Sequence, residues 1–295
     1  MSTKSFFRAG AAFSVLLLLA SCDFFKGLGV ATHPSSGASF AASGSSIYCL
    51  GGSDDSDTLL DSALYAVLDS EGAIGPWASA SALPTAMKDG SAFASGNILY
   101  YLGGRGAGGL SDAIYYTLVW QDGSLGFGSD LHWERNARSL PQPRANAALA
   151  LHDGWVYLIG GTTPEGATAS IIRARIWQDG QIGQWYECPE TLGQALWGCS
   201  ATVAGDRLYV AGGANISGPK KAFRSFGFGE YGSLADARSE TELPIPLQKA
   251  VLASDGEDLI LAGGWDADGP SSSVYRYEGG FWSDVGLSAE AAGSG

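Results

Sequence analysis

The chain has 295 residues and carries 30 Asp and Glu against 17 Lys and Arg, a net charge of −13. A surface of that sign repels phosphate, which argues against nucleic-acid binding and against adsorption to anionic lipid headgroups. With only 3 histidines, His33, His132 and His152, no metal cluster and no Ser/His/Asp set can be placed.

Residues 1–22 are predicted to be an export signal. Lys4 and Arg8 precede an apolar run from Ala11 to Ala20 that is too short to span a bilayer. The run ends in Leu19-Ala20-Ser21-Cys22, which resembles the lipobox of bacterial lipoproteins. The resemblance implies cleavage before Cys22 and acylation of that cysteine, with more than one acyl chain making the anchor stable. The expected location is then the bacterial cell envelope, lipid-anchored and extracytoplasmic, either periplasmic or surface-exposed. Residues 23–36 read as a tether and residues 37–295 as one folded domain.

That domain is built on a strand ending in two glycines, which occurs five times, at Gly51-Gly52, Gly103-Gly104, Gly160-Gly161, Gly212-Gly213 and Gly263-Gly264. The steps between them are 52, 57, 52 and 51 residues, the period of one supersecondary unit used repeatedly. Before each strand lies a segment of small residues, such as Ala38-Ser39-Phe40-Ala41-Ala42 or Ser91-Ala92-Phe93-Ala94, suited to an innermost strand where sheets converge. A turn such as Ser43-Gly44-Ser45 joins the two. A variable loop, a third strand and a second hairpin turn follow, the turn reading Glu71-Gly72-Ala73-Ile74-Gly75-Pro76-Trp77 in unit one and Asp179-Gly180-Gln181-Ile182-Gly183-Gln184-Trp185 in unit three. Units pass to the next through Leu83-Pro84, Leu140-Pro141 and Leu243-Pro244, where proline marks the exit from an edge strand. Cys49 alternates into a strand interior and reads as a buried thiol, while Cys188 and Cys199 could either pair or remain free.

Four strands per unit, the double glycine and the D-G-x-I-G-x-W turn together resemble the Kelch repeat, in its bacterial variety, over residues 37 to 288. The resemblance implies an all-β fold, a β-propeller of four-stranded blades, with five blades expected and six possible. The arginine common at the start of the Kelch inner strand occurs only as Arg144, with Lys88 and Lys249 near the corresponding place.

In such a meander the loops after the second strands and the inter-blade segments leave by one face, and the tight hairpin turns by the other. Binding residues are expected on the loop face. The candidates are Trp265 flanked by Asp266 and Asp268, Trp197, Arg105, Arg144, and the acidic pair Asp54 and Asp55. Trp265 could stack a sugar or pin a peptide, whereas Trp197 is expected to lean toward the core. Ser53-Asp54-Asp55-Ser56-Asp57 offers oxygen ligands of the kind Ca²⁺ takes but lacks a matching glutamate, so no metal or other cofactor is assigned. The expected role is a non-enzymatic binding module for a protein or a glycan. The alternative is a carbohydrate-active enzyme similar to the sialic-acid mutarotases, which would need a carboxylate and an arginine at the mouth.

Overall fold

The computed structural model describes residues 36–127, 132–256 and 258–286; the leader, Cys22, His33 and most of the tether lie outside them. Five antiparallel sheets succeed one another along the chain, each with a core of four strands in sequence order, and form a five-bladed β-propeller. Blade 1 comprises Ser39–Ser43, Ser46–Leu50, Ala63–Val67 and Ala78–Ser79, and blade 2 Ser91–Ser95, Ile98–Leu102, Ile114–Leu118 and Glu134–Arg135. Blade 3 comprises Ala148–His152, Trp155–Ile159, Ile171–Ile176 and Ile182–Glu187, and blade 4 Trp197–Ala204, Arg207–Asn215, Phe223–Phe228 and Leu234–Ser239. Blade 5 holds Val251–Ser254, Leu259–Ala262, Val274–Glu278 and Phe281–Asp284. Among the described residues, the four strands of the first blade are consecutive in sequence.

The innermost strands are the small-residue segments, and their size lets hydroxyls do structural work at the hub. Ser39 donates to the Gly90 carbonyl (2.8 Å) and Ser91 to the Ala147 carbonyl (3.0 Å), each reaching the next blade. The double glycines make room for a backbone crossing. All five first glycines are left-handed, with φ between 60° and 66°. A Cβ on Gly103 would stand 2.2 Å from the Arg144 carbonyl oxygen, and one on Gly160 2.5 Å from that of Leu196. The glycines therefore admit the chain as it leaves its own blade, and in the first four pairs the second glycine donates to that same carbonyl, as in Gly104 to Arg144 at 2.8 Å.

Strand alternation gives each blade two apolar faces. Tyr48 and Leu50 of blade 1 merge with Leu99 and Tyr101 of blade 2, and Tyr100 and Leu102 with Val156 and Leu158 of blade 3. Tyr157 and Ile159 merge with Leu208 and Val210, and Ala211 and Phe223 with Leu259 and Leu261. The exit leucines Leu83, Leu140, Leu192 and Leu243 are buried in these four seams. Blades 1 and 5 keep their remaining faces as separate clusters, Ile47, Cys49, Leu64 and Ala66 on one and Ile260, Ala262 and Val274 on the other.

Three seams share a further device. The hydroxyls of Tyr48, Tyr100 and Tyr157 donate to the carbonyls of Gly123, Gly180 and Gly232 in the second hairpin turn of the following blade, at 2.9, 2.8 and 2.8 Å. All three tyrosines are fully buried, so the bond offsets the cost of hiding a hydroxyl. Burial pushes the Tyr48 phenol up to about 12 and those of Tyr100 and Tyr157 further in the same direction. Cys188 and Cys199 lie in one cluster between blades 3 and 4 but are free thiols, with burial raising both and taking Cys199 to about 12. Cys49 is likewise free and buried.

Candidate functional site

The loop face is built from two layers of backbone. Around the axis, Gly37, Asp89, Asn146, Gly198 and Lys249 occupy the same place in the five blades, all with φ between 52° and 66°. Four backbone hydrogen bonds join them as an open hoop, Asp89 to Gly37, Asn146 to Asp89, Gly198 to Asn146 and Lys249 to Gly198, at 2.7 to 2.8 Å. Across the hoop, Lys249 Nζ pairs with Asp89 Oδ1 at 3.0 Å. The mouth is therefore lined by a backbone arc and crossed by an ion pair between blades 5 and 2.

Outside the hoop stand five short hairpins where the sequence predicts irregular loops. Arg105–Gly106 pairs with Gly109–Leu110, Thr162–Thr163 with Gly166–Ala167, and Gly218–Pro219 with the end of the second strand of blade 4. In blades 1 and 5 bridges Ser53↔Leu59 and Trp265↔Pro270 do the same. Their tips are held by their own side chains. Asp54 Oδ1 accepts from Ser56 N (2.8 Å) and Thr58 N (2.9 Å), Asp266 Oδ1 from Asp268 N (2.8 Å) and Gly269 N (3.0 Å), and Asn215 Oδ1 from Ser217 N (2.9 Å).

This geometry sorts the sequence-predicted residues. Trp265 is half exposed at the rim, next to Gln248 and Lys249 of the inter-blade turn, with Asp268 exposed beside it. Asp54 and Asp266 are committed to their turns, while Asp55 is exposed. Arg105 is exposed and bridged through its backbone to Lys88, whose ammonium pairs with Asp57 at 2.5 Å. Trp197 is partly buried where blade 4 begins, paired with Ala214.

Arg144 is a correction. It takes the place that Met87, Leu196 and Leu247 fill in other blades and is just as buried, donating to the Gly160 carbonyl (3.1 Å) and to Ser170 Oγ (3.0 Å). Burial pulls its guanidinium down to about 10. It ties the exit of blade 2 to blade 3 and is not presented to a ligand. Lys88, Arg144 and Lys249 thus stand at three successive places of the turn, not at one.

The sequence reading missed Asp89 and Ile216. Ile216 sits fully exposed at the tip of the blade 4 hairpin, an apolar residue between Asn215 and Ser217 whose only signal is its setting in a polar turn. Asp89 looks like one more surface carboxylate until the hoop brings it to the axis. Among the described residues no group of three or more His, Cys, Asp or Glu could hold a metal ion.

No protein-family model matches the chain. It is 26% identical over 203 residues to the spermatocyte protein spe-26 of Caenorhabditis elegans, an alignment covering 66% of this chain and 32% of that protein. The chain therefore spans about a third of the length of the curated relative it matches.

Proposed function

We propose that this chain is a Kelch-type propeller, held outside the cytoplasm of a bacterial cell by acyl chains on Cys22, that works as a non-enzymatic binding module for a protein or a glycan. The observation that carries the binding role is the character of the loop face. A half-exposed tryptophan, Trp265, and a fully exposed isoleucine, Ile216, stand on rigid hairpin supports around a mouth crossed by the Lys249–Asp89 pair. Rigid presentation of exposed large side chains favours recognition, because little side-chain and loop entropy is lost on association. Of the two arginines that the enzyme alternative could place beside a carboxylate at the mouth, Arg144 lies inside a seam and Arg105 stands exposed on the blade 2 hairpin. The anchor and the bacterial envelope rest on Leu19-Ala20-Ser21-Cys22. The nematode relative adds nothing to that part.

Pull-downs from cell envelopes and a glycan array, run with the full chain purified in detergent, test the binding role against Trp265→Ala and Ile216→Ser. Loss of about tenfold or more in affinity for a captured partner is expected, the usual effect of truncating a central anchor. Equal capture by parent and both variants would reject the face. For the anchor, labelling with a fatty-acid analogue should mark the parent and not Cys22→Ser.

A further inference from the structure

The fourth seam, between blades 4 and 5, departs from the pattern of the first three on the hairpin-turn side of the ring. Tyr209 stands where Tyr48, Tyr100 and Tyr157 stand, yet it is partly exposed, and among the described residues its hydroxyl has no clasp to the next blade. The Gly280 carbonyl, which it would reach, instead accepts from Thr241 Oγ1 at 2.7 Å. The cause lies in the turn. Glu278 pairs directly with Phe281, so only Gly279 and Gly280 lie between them, whereas in blade 3 Trp177 N bonds Gln181 O across three residues. The shorter turn meets the segment after the outer strand of blade 4 and does not reach Tyr209. A Cβ on Gly123, Gly180 or Gly232 would meet the preceding blade at 2.6, 2.3 and 2.5 Å, but one on Gly280 would meet nothing within 4 Å. The residue paired with the tyrosine also shrinks, from Tyr65, Tyr116 and Arg173 in blades 1 to 3 to Ser225 in blade 4.

The space so opened is a cleft of about 310 Å³, at the lower end of the range for small-ligand pockets. Its wall is a wired set of polar groups. Buried Ser225 accepts from Arg207 Nε at 3.0 Å and donates to Glu240, and Tyr277 donates to the other Glu240 oxygen at 3.3 Å. Arg207 is held in turn by Asp236 at 2.9 Å, which also pairs with the more exposed Arg238 at 2.5 Å. Asp258 is taken by Arg276. Arg207 and Arg238 among its lining stand against Glu240, Asp258 and Glu278, and most of these charges are paired, so the cleft has the wrong sign for phosphate and little surplus charge to draw in an ammonium. It offers alternating donors and acceptors, and the edges of two tyrosine rings, Tyr209 and Tyr277.

We propose that this cleft binds a neutral polyhydroxylated ligand, a single sugar unit, on the face opposite the hairpin loops. Sugar hydroxyls both donate and accept, which suits a carboxylate flanked by a guanidinium and two phenols, and the ring C–H faces suit the aromatic walls. The free Tyr209 hydroxyl is the group released from structural duty to do this. The proposal stands apart from the loop-face reading and survives its failure.

Saturation-transfer NMR on the full chain with glucose, galactose, mannose and N-acetylglucosamine tests it, with inorganic phosphate and N-acetylneuraminate as charged probes. At least one neutral sugar should give transfer. Tyr209→Phe, which removes one hydroxyl and no packing bond, should weaken that sugar about five- to tenfold, and Glu240→Gln at least as much. Tyr186→Phe, on the exposed outer strand of blade 3, should leave binding as it was. Because Glu240 is bonded to Ser225, its variant is read beside a thermal melt, and the Tyr209 variant alone decides if it unfolds. No transfer from any neutral sugar, stronger binding of a charged probe, or unchanged affinity in Tyr209→Phe would overturn the assignment.

Discussion

Seams 2–3 and 4–5 are made from the same repeat and end up doing different things. In the first, Tyr100 is sealed and its hydroxyl reaches Gly180 at 2.8 Å. In the second, Tyr209 is left partly open above a polar cleft, while the loop-side half of the seam stays packed by Leu243, Leu247, Leu252 and Leu261. One residue fewer in a turn and one side chain reduced to serine are enough. A propeller can therefore open a site at one seam without loosening the others, because each of these four seams is stabilised by its own cluster.

The largest difference between the two seams should come from crowding their turns. Gly232 has φ 70° and Gly280 φ 90°, so alanine is strained at both. Only at Gly232 would the new Cβ also press on the Trp155 ring at 2.5 Å. Gly232→Ala should cost about 2–4 kcal/mol and Gly280→Ala about 1–2 kcal/mol, read from urea midpoints. Equal costs would mean that the two turns sit alike.

Next come the hydroxyls. Tyr100→Phe leaves the buried Gly180 carbonyl unpaired and should cost about 1–3 kcal/mol, while Tyr209→Phe, which breaks no clasp, should fall within about 0.5 kcal/mol of the parent.

The same buried phenols set the alkaline limit. Desolvation takes Tyr48 to about 12 and Tyr100 and Tyr157 higher, against about 10 in an unfolded chain. The fold retains protons that the unfolded chain releases, so stability is whole below pH 10 and is lost as pH rises from 10 toward 12. Urea unfolding should show a falling midpoint across that window, with tyrosinate absorbance rising together with unfolding. Full tyrosine ionisation in a chain that stays folded would contradict it.

The smallest effect concerns seam 3–4. Cys188 and Cys199 are free there, so a reducing agent should leave the melting temperature unchanged, and a thiol reagent should reach them only on unfolding. A drop in melting temperature on reduction would show a bond between them.

How far the sequence carried the argument differs by level. The five units, their strand order and their innermost small-residue strands were legible, because the period of the double glycine and the alternation along each strand are local properties of the chain. Arg144 was misplaced because its setting is defined by what Met87, Leu196 and Leu247 do elsewhere, an equivalence visible only once the exit segments are superposed on the glycines they cross. Trp265 was found as a rim residue from its loop. Asp89 and Lys249, 160 residues apart, met only through the curvature of the successive blades. Tyr209 was invisible as a special residue for the same reason: four units carry that tyrosine, and nothing near it in the chain says which of them has a partner.

By itself, then, the sequence determined a ring of repeated sheets with its irregular connections on one side, since glycine spacing, side-chain alternation and turn chemistry act over a few residues. Tertiary structure alone decided which charges cross the axis, which arginine is buried and which tyrosine is left unclasped. Those outcomes depend on the reach of a neighbouring blade, a distance of a few ångströms set by turn length some 70 residues further along the chain.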